Sequence, residues 1–219
     1  MLGWDLKIQL GQQIICSRSW ERQQIFKLIT VAELSQQEYS LILDAKNFLI
    51  RPTSAEDFFH NGKIKVQTKP GESDKQWERT AAWCGKNPSQ LTRGYNTTPW
   101  VWKKELLQYV VQEYKNRGVP LTKSAFLNYY EFDTTWALIQ DIIPWENAKL
   151  AEGIYAFTMS ADELKQRIEW AEHFEVPIWT FHRYHWNNKQ LCDISNEFLK
   201  QRNIIDDNLE SQWLSLIHI

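Results

Sequence analysis

Trp179, His182, Arg183 and Trp186 fall within one short stretch near the C-terminal end of the chain. Their side chains are of the kinds that meet a nucleic acid or a protein groove, since Trp and Arg are favoured at binding hot spots. A second group lies in the middle of the sequence. Lys63, Lys65 and Lys69 alternate with Ile64, Val66 and Thr68, so one face of that segment is basic and suited to phosphates. Between Arg79 and Lys104 stand Arg79, Lys86, Arg93, Lys103 and Lys104, with no acid among them. In the same stretch Ser89, Gln90 and Arg93 are spaced to reach phosphate, adenine and guanine respectively. His182 and His185, with His173 or Cys192, could gather on a metal, but one His pair needs two more positioned ligands. The reading therefore assigns no metal. There is no Gly-rich phosphate loop, no Gly-x-Ser-x-Gly and no paired-cysteine zinc pattern, which leaves most enzyme classes without support.

The elements that must hold these residues read as mainly helical. Trp4–Leu10 alternates strictly and predicts a strand. Trp20–Leu28 predicts a helix. Thr30/Glu33 and Ser35/Glu38 have capping-box spacing, and suggest a short helix near 31–35 and a longer one over 36–49. Leu41, Ala45 and Phe48 would then share a face, with a strand over Tyr39–Asp44 as the competing reading. Asn61-Gly62 is a strong hairpin signal, because a type I′ turn needs positive φ at both positions. Pro70-Gly71 ends that hairpin. Thr98 and Pro99 open an amphipathic helix that Gly118 and Pro120 stop. Thr122 caps a short helix, and Asp133–Thr135 opens one that runs to Ile143. Ser160 and Glu163 form a capping box, with Met159 and Leu164 placed as its hydrophobic staple. Pro177 would start a further helix to about Asn188, and Cys192–Gln201 a last one. A faint helix–turn–helix repeat recurs near 77–95, 122–142 and 160–186.

Trp170, Ala171, Phe174, Val176, Phe181 and Tyr184 occupy the small and apolar positions of a twenty-residue unit that resembles the helix-turn-helix family of DNA-binding proteins. Glu175 stands where that family usually has its turn glycine. The resemblance implies that Pro177, Ile178, Trp179, His182 and Arg183 face the major groove. Thr80–Tyr95 resembles the same unit through Ala81, Cys84, Gly85 and Leu91, with Lys86 at a position usually apolar. A strand, three helices and a basic hairpin also resemble a winged helix, the hairpin being the wing, although here the strand precedes the first helix.

Asp57 followed by Gln67-Thr68-Lys69 on a strand resembles the restriction-like, metal-dependent nucleases. That resemblance implies Mg²⁺ held by Asp57 and Gln67, with Lys69 orienting water and Glu21 as a further acid. The expected strand–helix–strand continuation after Lys69 is missing, because 72–95 reads as helical. Asp44-Ala45-Lys46 imitates the same pattern, on what reads as a helix.

Composition bounds the rest. The chain has 219 residues, 43% hydrophobic and 24% charged, as in ordinary globular proteins. Three dispersed cysteines fit a reducing compartment and not a disulfide framework. The N-terminus lacks a signal-peptide pattern and no apolar run is long enough for a membrane span, so a cytoplasmic protein is expected. Net charge is −2, but residues 51–100 carry eight Lys/Arg against five Asp/Glu, and residues 151–219 six against eleven. The basic middle would face phosphates while the acidic third meets a protein. Most of the twelve Trp are expected to pack in cores. Residues 214–219 resemble a translated sequencing adapter and are read as a non-native tail, so the natural chain would continue differently beyond 213.

The expected protein is thus mainly α with a small β-hairpin. A winged-helix-like unit over 1–70 precedes a helical unit with the basic stretch over 71–150 and a helix-turn-helix-like unit over 151–213. Its expected role is DNA binding in a mobile-element, replication or regulatory system, by stoichiometric association and without a cofactor. Lys63, Lys65, Lys69, Lys86, Lys103 and Lys104 would neutralise phosphates, and Gln90, Arg93, Trp179, His182 and Arg183 would approach bases or backbone. The alternatives are a protein-interaction adaptor and a Mg²⁺-dependent endonuclease subunit.

Overall fold

The computed structural model describes residues 19–44, 46–69, 74–95, 98–119, 131–154, 159–181 and 188–205. Helix α1 spans Ser19–Ile29 and runs into a π-helical turn over Thr30–Leu34. Strands β1 (Tyr39–Ile42), β2 (Asn47–Leu49), β3 (Phe59–His60) and β4 (Lys63–Val66) follow. Then come α2 (Lys75–Trp83), β5 (Trp100–Lys103), α3 (Lys104–Asn116), α4 (Glu131–Ile139) and β6 (Trp145–Asn147). The chain ends in β7 (Ala151–Ile154), α5 (Ala161–His173), β8 (Ile178–Phe181) and α6 (Lys189–Gln201).

Among the described residues the strands form three small sheets, β1–β5, β2–β8–β7 and β3–β4–β6. The mainly α, winged-helix-like arrangement expected from the sequence is therefore incorrect: the fold is mixed. The hairpin itself forms, with Asn61 at φ 50° and Gly62 at φ 76°. It is not a free wing, because β4 also pairs in parallel with β6, Ile64 opposite Trp145. Ile64 and Val66 are buried beneath it, while Lys63 is exposed and Lys65 half-buried.

Three helical expectations fail for one reason. Residues 39–49 form two strands, 100–103 a strand where a helix start was expected, and 178–181 a strand instead of a recognition helix. Each is a short apolar run with Trp, Ile, Val or Phe, whose periodicity alone does not separate a buried strand from a buried helix. Sheet partners decide: Tyr39 opposes Lys103 and Ile42 opposes Trp100, antiparallel. Ile178–Phe181 is buried on both faces, flanked by β2 antiparallel and β7 parallel. A strand buried on both faces shows no polar alternation. The segment 159–181 is thus the second half of a β–α–β crossover, not a helical hairpin.

The start of α5 matches its sequence signature. Ser160 Oγ accepts from Glu163 N at 3.2 Å and Glu163 Oε2 accepts from Ser160 N at 2.7 Å. Ser160→Ala removes one half of this cap and should cost about 1 kcal/mol, read as a lower urea midpoint with unchanged slope.

Two apolar cores support the sheets. The larger joins Ile25 and Leu28 of α1, Trp77 of α2, Trp100 and Trp102 of β5, Val110 and Tyr114 of α3 and Trp136 of α4. Trp100 stacks on Phe132 with ring centroids 5.7 Å apart, and Trp136 meets Trp145 edge-on at 5.0 Å. The smaller core lies between β7, β8, α5 and α6 and is centred on Trp179, Leu164 and Phe198. Segments 1–70, 71–150 and 151–213 each give strands to sheets completed by another segment: β2 pairs with β8, and β4 with β6. Among the described residues no helix is long and apolar enough to cross a membrane.

Candidate ligand-binding site

Between β1 and β2 a short turn carries Asp44 and Lys46, with Asn47 N donating to Asp44 O at 2.9 Å. Its conformation is fixed by Asn47, whose Oδ1 accepts from Asp44 N at 2.7 Å and from Thr98 Oγ1 at 2.5 Å. Asn47 Nδ2 donates to Thr180 Oγ1 at 2.8 Å. Phe181 N donates to Lys46 O at 3.0 Å. The turn is therefore fastened to the carboxyl end of β8, beside the carboxyl end of the parallel strand β7. In α/β sheets ligands bind at that end of the strands, because loops and not side-chain ladders fill the space there.

Asp44 is the centre of the turn's electrostatics. Its Oδ1 lies 2.9 Å from Lys27 Nζ of α1, and its Oδ2 lies 3.3 Å from Lys46 Nζ. Gln23 Nε2 donates to the same Oδ1 at 3.4 Å. Burial works to raise the Asp44 pKa, but the Lys27 and then the Lys46 ammonium groups outweigh it and hold the carboxyl below its ordinary value. Asp44 thus stays ionised at neutral pH, with both ammonium groups beside it. Lys27 Nζ also stands 4.8 Å from the centre of the Phe132 ring.

Lys27 forms part of the wall of an open cavity of about 600 Å³ between α1 and β1. Gln23 and Thr30 give it further polar atoms, and Phe26, Leu41 and Leu43 an apolar side. Phe26 is 51% exposed, so this side is covered by nothing in the chain as described. The volume falls in the range of small-molecule sites, which combine an apolar lining with a few placed polar groups.

Those of the residues singled out by sequence that the structure describes lie elsewhere. Trp179 is fully buried in β8, donates from Nε1 to Ser195 Oγ at 2.8 Å and packs on Phe198. It has no surface to offer a base. His182, Arg183, His185 and Trp186 lie outside the described residues. Arg93 is buried and paired with Asp74 at 2.6 Å and Asp133 at 3.3 Å. Lys86 pairs with Asp141 at 2.7 Å, and Lys103 lies 3.4 Å from both Glu38 and Glu105. Lys104 and Lys65 donate to the carbonyls of Ser35 and Glu56, each at 2.7 Å. Lys69 stands 5.1 Å from the Tyr95 ring centre. Lys63 and Gln90 are exposed.

Of the nuclease set, the Glu21 side chain lies outside the described residues. Asp57 is held by Arg51 and by Ser54 N. Gln67 is buried, with Oε1 accepting from Leu150 N and Ala151 N at 2.9 and 2.8 Å. Its amide therefore braces the start of β7. Asp44 and Lys46, whose pattern reads from sequence as helical, lie instead in the turn at the centre of the site. What sequence reasoning missed was the grouping of Lys27, Asp44, Asn47, Thr98 and Thr180. Asn47 and Thr180 meet through the pairing of β2 with β8, while Lys27 comes from α1 and Thr98 from the segment before β5.

No curated protein matches the chain. The model of DUF6492, described as a family of unknown function, matches residues 8–199, and the chain belongs to that family.

Proposed function

We propose that this protein binds a small organic anion in the cavity between α1 and β1. The observation that carries the reading is the Lys27–Asp44–Lys46 cluster, two cations against one carboxylate, of which Lys27 lines that cavity. An incoming carboxylate or phosphate oxygen joins Asp44 beside the two ammonium groups. Gln23 and Thr30 supply polar contacts to the ligand's polar part, and Phe26, Leu41 and Leu43 cover its apolar part. Asn47 acts by holding the turn in place.

The test is a titration of the isotopically labelled protein with inorganic phosphate, a nucleoside monophosphate and a small dicarboxylate, followed by NMR. At least one probe should shift the Gln23, Thr30 and Leu41 amides together. Lys27→Met should then weaken that probe about tenfold or more, since a hydrogen bond to a charged group contributes about 1.5–3 kcal/mol. No shift with any of the three, or shifts that survive Lys27→Met combined with Lys46→Met, would remove the reading. A complex with duplex DNA that weakens steeply with salt, and is lost in Lys63→Ala with Lys65→Ala, would instead support the DNA-binding expectation.

A further inference from the structure

A second ionic centre lies away from that cavity, where the loop over residues 91–95 meets α2 and α4. Arg93 is 5% exposed and spans two carboxylates of unequal character. Nη1 donates to Asp74 Oδ2 at 2.6 Å, and Nη2 reaches Asp133 Oδ2 at 3.3 Å. Asp74 is the N-cap of α2, with its other oxygen accepting from Trp77 N at 2.8 Å and about half of its side chain exposed. Asp133 belongs to α4 and is 1% exposed. Among the described residues its Oδ1 has no hydrogen-bond partner, although Thr134 and Thr135 follow it in the chain, and Arg93 Nε has none either.

The arrangement is lopsided. The guanidinium lies closer to the half-exposed carboxylate than to the buried one that depends on it. Other charge does not make up the difference. The groups acting on Asp133 are Arg93, Asp74 from the start of α2 and Lys69 after β4. The faces that α2 and α3 bury hold Trp77, Thr80, Ala81, Leu107, Val110, Val111 and Tyr114, none of them charged. Lys27, which reaches α4 at Phe132, is already engaged by Asp44.

We propose that Asp133 is a proton-operated switch at this joint: on mild acidification it takes up a proton, and Arg93 passes wholly to Asp74. Burial is the chief force on Asp133 and moves its pKa up to about 6, against the opposing pull of Arg93. Arg93 keeps its charge on both sides of the step, so the event is a transfer of hydrogen bonds and not a loss of the cation. The loop that carries Arg93 is bound to the strand end after β4, with Lys69 N donating to Arg93 O at 2.8 Å and Tyr95 N to Gln67 O at 3.0 Å. A shift of the guanidinium is therefore felt at both ends of that loop.

The test is a titration of the full chain by NMR, reading the Asp133 side-chain carbon and the Arg93 Nε–H together. Both should move with one midpoint near 6. An Asp133 midpoint in the ordinary carboxylate range, about 4, or an Arg93 signal that ignores the step, would overturn the proposal. Asp133→Asn should abolish the Arg93 step. Should that variant not fold, Asp74→Asn serves the same purpose. It removes the competing negative charge, so the Asp133 midpoint should fall. An unchanged midpoint there would equally overturn the proposal.

Discussion

Gly153→Ala should lower stability by about 4 kcal/mol or more, which for many domains of this kind means failure to fold. Gly153 sits in β7 directly opposite Thr180 of β8, with φ at 140°. A Cβ added there would run into the carbonyl oxygen, nitrogen and carbonyl carbon of Thr180. Backbone cannot yield as a flexible side chain does, so the two parallel strands would have to separate. Thr180 also holds Asn47, so the displacement would travel to the turn that carries Asp44. Gly62→Ala is the matched control. Gly62 also has positive φ, 76°, but nothing lies within 4 Å of its added Cβ. It should cost only the conformational penalty, about 1–2 kcal/mol. Urea unfolding of both variants separates the effects. Equal losses would show that backbone conformation, and not the contact with Thr180, governs position 153.

That contrast shows which features were legible in the sequence. Asn61-Gly62 and Ser160/Glu163 act through neighbours two or three residues away, so their types and spacing determine the geometry. Gly118 likewise ends α3 where expected, at positive φ. Ile178–Phe181 was read as a recognition helix because Pro177 and an apolar run suit either structure. Only burial between β2 and β7 makes it a strand. Arg93 was read as a base contact in an acid-free stretch. Its acids, Asp74 and Asp133, are 19 and 40 positions away, and local charge counts miss them. The candidate site is the extreme case. Asn47 and Thr180 are 133 positions apart, and their hydrogen bond exists because β2 closes the sheet of the crossover unit. Local patterning carries no trace of such a pairing. Asp44 and Lys46 read from sequence as helical, and a helix there would not bring Asp44 to Lys27 of α1.

Arg93→Met should cost about 3 kcal/mol at pH 7, because it strands the buried Asp133 carboxylate without its cation. The cost should depend on pH in a definite direction. The folded-state pKa of Asp133, about 6, lies above the ordinary value of 3.8. The folded protein therefore holds this proton more tightly than the unfolded chain does. The resulting stability is fully present below the unfolded pKa and is lost as pH rises through the folded one, a fall of about 3 kcal/mol between roughly pH 4 and 6. Without Arg93 the folded pKa moves higher still, and the fall extends toward alkaline pH. The deficit of the variant relative to the parent should accordingly widen from pH 6 to 8 and narrow toward pH 5. It does not vanish there, because Asp74, whose pKa is lowered, remains ionised and misses its partner. Being half-exposed, Asp74 contributes little to that remainder. Arg93→Met with Asp133→Asn should recover most of the stability at pH 7, since removing both members of a buried pair leaves no stranded charge. Urea midpoints of the parent, the single and the double variant at pH 5, 7 and 8 decide the matter. A deficit that is flat across pH would mean that Arg93 stabilises the joint by packing on Trp77, 6.0 Å away, and not by its charge.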